Sequence, residues 1–498
     1  MRGRLKLNVL AAVVNALAVV ASALVAVPLI LDAVGTAGYG VWALGLAVVV
    51  YASMADAGLG PAVQRFTAVV SGAEDRAGTA QLMWTTLLAY AAVGGVALLA
   101  VRLAAPGLVD LFDLPAALDA DAEKMFRLLG IVVAVALLAS GAGHLLAGLE
   151  RFGTLALSSI AGAVTFVVAI AILAGDRGLP GLATALLVQQ SVVLAVRLWA
   201  VRGLGLGHPV RPVGIRRLAE MVRFSLPLQA AAVADLINAQ GDKIVVGLVA
   251  ALATVGQLGI GAQFADGGRL LAAAALGPIV STLAVTAGAG DVSLLRTRFA
   301  ELHRLWVLGV LGAGLVGAMV LQPLIEAWLG GGHDEAALLG GVLVLATAAG
   351  LATGSGAAYL RALGRPGLEA RYGLIVVGVN LLLTIPLALA AGARGVVLGT
   401  LGAYVVGGLW FSVRLARYVP VVPFRDRRDG AVAVGAALAA GGVALLVGSL
   451  AVAILPGRAA LPFVAAGALG AIAGYAAVVL GVRPTRRSLR QWIAGASA

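Results

Sequence analysis

An all-α polytopic membrane protein of about fourteen transmembrane helices is what this 498-residue sequence predicts, and three observations carry that reading. Hydrophobic residues make up 61% of the chain and charged residues only 12%, with a mean hydropathy of +1.04, far from the composition of a soluble domain. The apolar residues fall in continuous runs of about twenty, long enough to span a bilayer as helices and without the alternation of a barrel strand. The basic residues gather in alternate connections between those runs.

In chain order the expected spans are 9–31, 38–60, 81–103, 127–147, 156–174, 179–200, 221–249, 254–285, 305–329, 336–360, 372–391, 395–416, 431–453 and 460–481. The first follows a basic head, "MRGRLKLNVL", and its apolar run is too long for the core of a signal peptide, so it reads as an uncleaved span. Abundant alanine and 68 glycines throughout the spans suit close helix approach in lipid, where small residues drive packing. Pro28, Pro227, Pro323 and Pro386 interrupt spans, as neighbouring helices in lipid allow.

With the amino terminus placed in the cytoplasm, 27 of the 35 Lys and Arg residues fall inside, 6 outside, and 2, Lys243 and Arg269, within spans. The inner set includes the run Arg197, Arg202 and Arg211 around the end of span six, Arg414 and Arg417 around the end of span twelve, and the basic tail. Residues 104–126, with Asp110, Asp113, Asp119, Asp121 and Glu123, read as the longest outer loop. The asymmetry predicts an inner or plasma membrane protein with both termini cytoplasmic, and it accounts for the net charge of +12 without any nucleic acid partner.

A repeat divides the chain. "LGPAV" at 59–63 returns as "LGPIV" at 276–280, and "GYG" at 38–40 has a weaker partner in "GQLG" at 256–259. Both pairs enter from the same side, so the repeat is parallel, an architecture of transporters. It predicts two six-helix lobes, residues 1–203 and 204–425, with spans thirteen and fourteen and a basic tail in 426–498.

The segments "PLILDAVGTAGYGVWAL" at 28–44, "DAGLGPAVQRFTA" at 56–68 and "RFSLPLQAAAVADLINAQGDKIVVG" at 223–247 resemble the polysaccharide and lipid-linked oligosaccharide flippases of the multidrug/oligosaccharidyl-lipid/polysaccharide exporter superfamily. The resemblance implies two lobes around a central cavity and movement of an undecaprenyl-diphosphate-linked glycan to the outer leaflet. Its implied partners are that glycan lipid, the surrounding lipids, and a glycan polymerase or glycosyltransferases. The same fold leaves open a cation-coupled multidrug exporter, and a non-transporting partner of a polymerase is the reading from another class.

No enzyme or cofactor motif is present: there is no phosphate-binding "GxxxxGK[ST]", no "HExxH", no cysteine, and the four histidines at 144, 208, 303 and 333 read as loop or span-end residues. The candidate site residues are charges within spans, costly in hydrocarbon unless paired or functional. Asp235, Asn238 and Asp242 lie on one face of span seven, and Gln263, Asp266 and Arg269 step by three along span eight. They line a wet cavity, or they pair, Asp266 or Asp242 with Arg269. Arg269, Asp266, Gln263, Asn238 and Arg65 are the substrate-binding candidates. Asp235, Asp242 and Asp56 are the ion-coupling candidates. Arg65 is equally a plain positive-inside residue, and Asp56 a pairing group or a protonation site. In span one Asn8, Asn15 and Ser22 recur every seven residues, the pattern of helix–helix hydrogen bonds or of a facing polar stripe.

Overall fold

The computed structural model describes residues 2–56, 59–72, 75–202, 219–221, 240–288, 292–363, 367–419, 427–455 and 457–481, with isolated positions between 223 and 238 and at 365. These residues are helical almost throughout, with no strand among them. Nine of the described helices are long and apolar enough to cross a membrane. The chain forms two compact units, Met1–Gly256 and Gln257–Ala498.

The first unit contains α1 (Arg2–Ser53), a short 3-10 turn (Met54–Asp56), α2 (Leu59–Gly72), α3 (Arg76–Leu111), α4 (Ala116–Gly148) and α5 (Phe152–Val201). Helices α1 and α5 each cover two expected spans, joined at glycines with positive φ: Gly35 (φ 67°) and Gly178 (φ 53°). A side chain is costly in that region, so glycine allows the chain to reverse without a polar loop. Helix α4 is the centre of the unit, packed on α3 and α5 along its length and touched by α1 and α2. Met125, Phe126, Leu129, Val132 and Val133 of α4 are fully buried. Gly94 of α3 and Gly130 of α4 permit the approach, since a Cβ on either would stand 3.1 Å from a carbonyl oxygen of the facing helix.

The expected second span is discontinuous. Helix α1 ends at Ser53, and regular α-helix resumes at Leu59. Pro61 explains the interruption: it has no amide proton to offer four residues back, and its ring collides with that carbonyl in an unbroken helix. The later copy, "LGPIV", lies inside a continuous helix, so the repeat is one of sequence and not of this break.

Residues 104–126 are not a loop. Helix α3 runs to Leu111 and α4 starts at Ala116, leaving a tight turn between them. Polarity ended the apolar window in the sequence, but it does not end a helix. Asp121 pairs with Lys124 at 3.3 Å and Glu123 with Arg127, three and four residues apart, as charges on a solvated helical face do.

The second unit holds α6 (Leu252–Gly288, whose first turn precedes the unit boundary), α7 (Val292–Leu329), α8 (Asp334–Ala352), α9 (Gly354–Ala362), α10 (Gly367–Leu415), α11 (Arg427–Ile454) and α12 (Leu461–Gly481). Helix α7 is its centre, packed on α8, α11 and α12. Gly261 of α6 and Gly340 of α8 meet backbone to backbone, a Cβ on Gly340 falling 2.6 Å from the Gly261 Cα. The carboxy-terminal pair α11 and α12 is fastened to α7 by Tyr475, whose hydroxyl donates to the Leu308 carbonyl at 2.8 Å over Gly312. His303 is buried in this unit, 2.8 Å from the Ser355 hydroxyl, its ring tilted against Phe299 with centroids 5.0 Å apart. Of the described histidines, His333 lies between helices, and His144 and His303 lie on α4 and α7.

Helix α10, like α1 and α5, turns at a glycine. Gly392 (φ 57°, ψ −137°) reproduces the backbone of Gly178 (φ 53°, ψ −133°) 214 residues earlier. Three residues after each, Gly181 and Gly395 lie against the carbonyls of Leu173 and Leu387, likewise 214 apart. This Gly-x-x-G turn therefore occurs twice at nearly the 217-residue spacing of the "LGP" segments.

Gly181→Ala and Gly395→Ala each drive a methyl into a carbonyl, and each is expected to lower stability by about 2 kcal/mol or more. Gly175→Ala, with open space at its Cβ and no positive φ, should leave it unchanged within about 0.5 kcal/mol. Thermal unfolding of the three detergent-solubilised variants is the check.

Candidate functional site

In the first unit a cavity of about 330 Å³ opens between α1, α4 and α5. Its polar lining is Ser22 and Ser53 from α1, Ser140 from α4, and Ser159, Gln189, Gln190 and Arg197 from α5. Val19, Ala136, Leu137, Ala139, Ala163 and Val193 are its apolar lining, and among the described residues no lining side chain is acidic or aromatic.

Arg197 is the organising charge. It lies 19 residues beyond the Gly178 turn, about 28 Å along the axis at 1.5 Å per residue, which puts it near the far edge of a hydrocarbon layer roughly 30 Å thick. Its Nε donates to the Ser158 hydroxyl at 3.1 Å and its Nη1 to the Ala139 carbonyl at 2.9 Å. Ser158 is fully buried and passes its own proton to the Leu155 carbonyl at 2.8 Å, so its oxygen faces the guanidinium as an acceptor. Gly143 makes room on α4, for a Cβ there would stand 2.8 Å from Nη1. No carboxylate among the described residues forms a salt bridge with Arg197. A guanidinium carries five donors, and two are engaged. The cavity therefore holds a permanent positive charge on neutral supports, with donors to spare for an anion.

A second polar chain flanks the cavity. Ser140 lies 3.3 Å from His144 Nε2. The imidazole packs directly on Gly60, and its ring centroid is 6.4 Å from that of Tyr90. The Tyr90 hydroxyl donates to Asp56 Oδ2 at 3.1 Å, and Gly141 gives the Tyr90 ring its seat. Asp56, at the break between α1 and α2, thus accepts a hydrogen bond from a residue 34 positions away. Arg65 lies exposed on α2.

The remaining sequence candidates fall elsewhere. Asn238 and Asp242 are buried in the first unit, at 4% and 7% exposure, with Tyr51 near Asp242. The Asn238 carbonyl oxygen has no hydrogen-bond partner among the described residues. Asp235 lies outside the described residues. Gln263, Asp266 and Arg269 are half-buried on α6, and no salt bridge joins Asp266 to Arg269. Arg197 escaped sequence reasoning because it was counted with the loops, although it stands within the limits of the sixth span. The signal was present: Gln189, Gln190 and Arg197 interrupt an otherwise apolar run, opposite Ser158 and Ser159 in the fifth.

Among known proteins, the chain matches the family described as polysaccharide biosynthesis protein over residues 6–282. No curated protein matches it. In fold it is similar to the lipid II flippase MurJ in an inward closed conformation, at 14% identity and a TM-score of 0.70, over 92% of this chain and 96% of that one. It is also similar to an inward-facing multidrug resistance MATE family transporter of the MOP superfamily, at 18% identity and a TM-score of 0.63, over 79% and 94%. A MATE transporter from Vibrio cholerae follows at 16% identity and 0.62, over 84% and 96%. At such identities the likeness establishes the fold.

Tyr90→Phe removes the hydrogen bond to Asp56 and is expected to cost about 1 kcal/mol of stability. Gly60→Ala pushes a methyl into the His144 ring and should cost more, about 2 kcal/mol. Unfolding midpoints of the two variants, compared in one detergent, test the order.

Proposed function

The chain belongs to the polysaccharide biosynthesis protein family, and from that premise we propose that it is a flippase. It moves a lipid-linked glycan, with undecaprenyl diphosphate as carrier, from the cytoplasmic to the outer leaflet by alternating access for cell-surface polysaccharide assembly. It is a transporter and not an enzyme, and it sits in the plasma membrane with both termini cytoplasmic.

The observation that carries this reading is Arg197, a fixed cation facing a polar cavity between membrane helices on neutral hydrogen-bond acceptors. A phosphate oxygen is a fitting ligand for its remaining donors, which grip an anion in parallel bonds where the dielectric is low. The lipid tail stays in hydrocarbon while the headgroup gains a counter-charge. A multidrug exporter of cationic compounds needs carboxylates or aromatic faces toward its cargo, and the described residues that line this cavity include neither. Arg269, Asp266 and Gln263 on α6 of the second unit, and Asn238 and Arg65 of the first, are proposed as substrate-binding residues, each within its own unit. Asp56, Asp235 and Asp242 are proposed to couple transport to a cation gradient.

Reconstituted in vesicles with a fluorescent undecaprenyl-diphosphate sugar, the protein should carry label across the bilayer. Arg197→Gln is expected to slow the initial rate at least about tenfold, equivalent to ~1.4 kcal/mol, and Arg197→Lys to recover part of it. An unchanged rate in Arg197→Gln would falsify the anion-binding role. Absence of flipping by the parent protein favours the polymerase-partner reading.

Orientation is checked in the cysteine-free chain. A cysteine replacing Asp121 should react with an impermeant maleimide from outside, and one replacing Arg202 should not. The reverse pattern inverts the topology.

A further inference from the structure

We propose that Gln189 and Gln190 are specificity-determining residues that bind the hydroxyls of a single sugar ring, the one attached to the phosphate at Arg197. This rests on the anion-binding role of Arg197 and names the substrate feature read beside it.

Both glutamines line the cavity. They lie 11 and 12 residues beyond Gly178 on α5, about 17 Å along the helix and so near the middle of the hydrocarbon layer. A primary amide at that depth ordinarily bonds a neighbouring helix. Neither glutamine side chain hydrogen-bonds to any described residue, and Gly162 seats the first of them against the cavity wall, where a Cβ would stand 3.4 Å from Gln189 Cγ. Two adjacent amides without internal partners are costly in the membrane interior, and a ligand that pairs with them offsets that cost.

The serines narrow the chemistry. Ser22 donates to the Val19 carbonyl at 2.8 Å, Ser53 to Val49 at 2.7 Å and Ser159 to Leu155 at 3.1 Å. Their hydroxyl protons are committed to the backbone, so toward the cavity these oxygens are acceptors. Phosphate at neutral pH is chiefly an acceptor: it suits Arg197 and the amide N–H groups and leaves serine oxygens and amide carbonyls unmatched. Sugar hydroxyls both donate and accept. A ring bearing neighbouring hydroxyls satisfies both halves of each amide and the serine acceptors together.

Size limits the recognised part to one ring. The cavity of about 330 Å³ stands at the low end of small-molecule sites. A hexose with one phosphate fills it, and further sugars of the glycan lie outside. The cavity therefore selects the carrier-proximal sugar and tolerates variation beyond it.

The test uses the whole protein in detergent with one cysteine in place of Ser159, a lining residue, and measures protection of that thiol from a small maleimide. Glucose 1-phosphate is expected to protect at about a tenfold lower concentration than inorganic phosphate, the equivalent of two net hydrogen bonds. In the Gln189→Leu, Gln190→Leu double variant that advantage should vanish while protection by phosphate persists. Arg197→Gln should abolish both. Equal protection by the two anions in the parent overturns the sugar assignment and leaves the anion site standing. Protection by neither anion, with reactivity unaffected by Arg197→Gln, overturns the anion site as well. The parent comparison decides the matter even if the double variant fails to fold.

Discussion

A guanidinium held by a serine hydroxyl and a backbone carbonyl is the interaction on which the first unit's polar interior depends. Arg197 cannot lose its charge, and among the described residues no carboxylate forms a salt bridge with it. The surroundings conform to it. Ser158 surrenders its proton to the Leu155 carbonyl so that its oxygen can accept, Ala139 lends a second lone pair, and Gly143 vacates the space a side chain would fill. Removing any of these supports leaves a charge in low dielectric with fewer partners, a far larger penalty than an ordinary hydrogen bond returns. The cavity is polar because such a charge needs company, and its serines and glutamines supply it without cancelling it.

The same demand shapes the backbone. Inside a bilayer every amide must be satisfied within the protein, so the chain turns where glycine permits a positive φ and breaks where proline forbids continuity. Gly35, Gly178 and Gly392 let long helices double back. At the one break on the first unit's polar side, Asp56 takes a hydrogen bond from Tyr90 of α3. Helix α4 ties the two features together, presenting Gly141 to Tyr90, His144 and Ser140 to the flanking chain, and the Ala139 carbonyl to Arg197 within one and a half turns.

Hydrophobic length made the helical architecture legible in the sequence, because span length is a property of the solvent and not of any partner. The boundaries were less legible. Residues 104–126 look like a loop by polarity, yet their charges sit on helix ends that project beyond the apolar layer. Helix α3 alone has 36 residues, about 54 Å. Histidines 144 and 303 look peripheral by position and are interior by packing. Asp56 accepts a hydrogen bond from Tyr90, 34 residues on, a pairing that sequence spacing does not reveal. Arg197 was concealed for a different reason: a basic residue close to a span end satisfies the rule that places positive charge in the cytoplasm, and only three-dimensional contacts with Ser158 and Ala139 distinguish a held guanidinium from a snorkelling one. Ser22, by contrast, stood in a readable seven-residue stripe of the first span and does face the cavity.

The central claim, that Arg197 is a standing anion site, is tested most directly by anomalous diffraction from crystals soaked in tungstate, a tetrahedral oxyanion with a strong signal. The account predicts an anomalous peak in the cavity within hydrogen-bonding distance, about 3 Å, of the Arg197 guanidinium, and its disappearance in crystals of Arg197→Gln. Peaks confined to surface arginines, with the cavity empty at full soak, would contradict it.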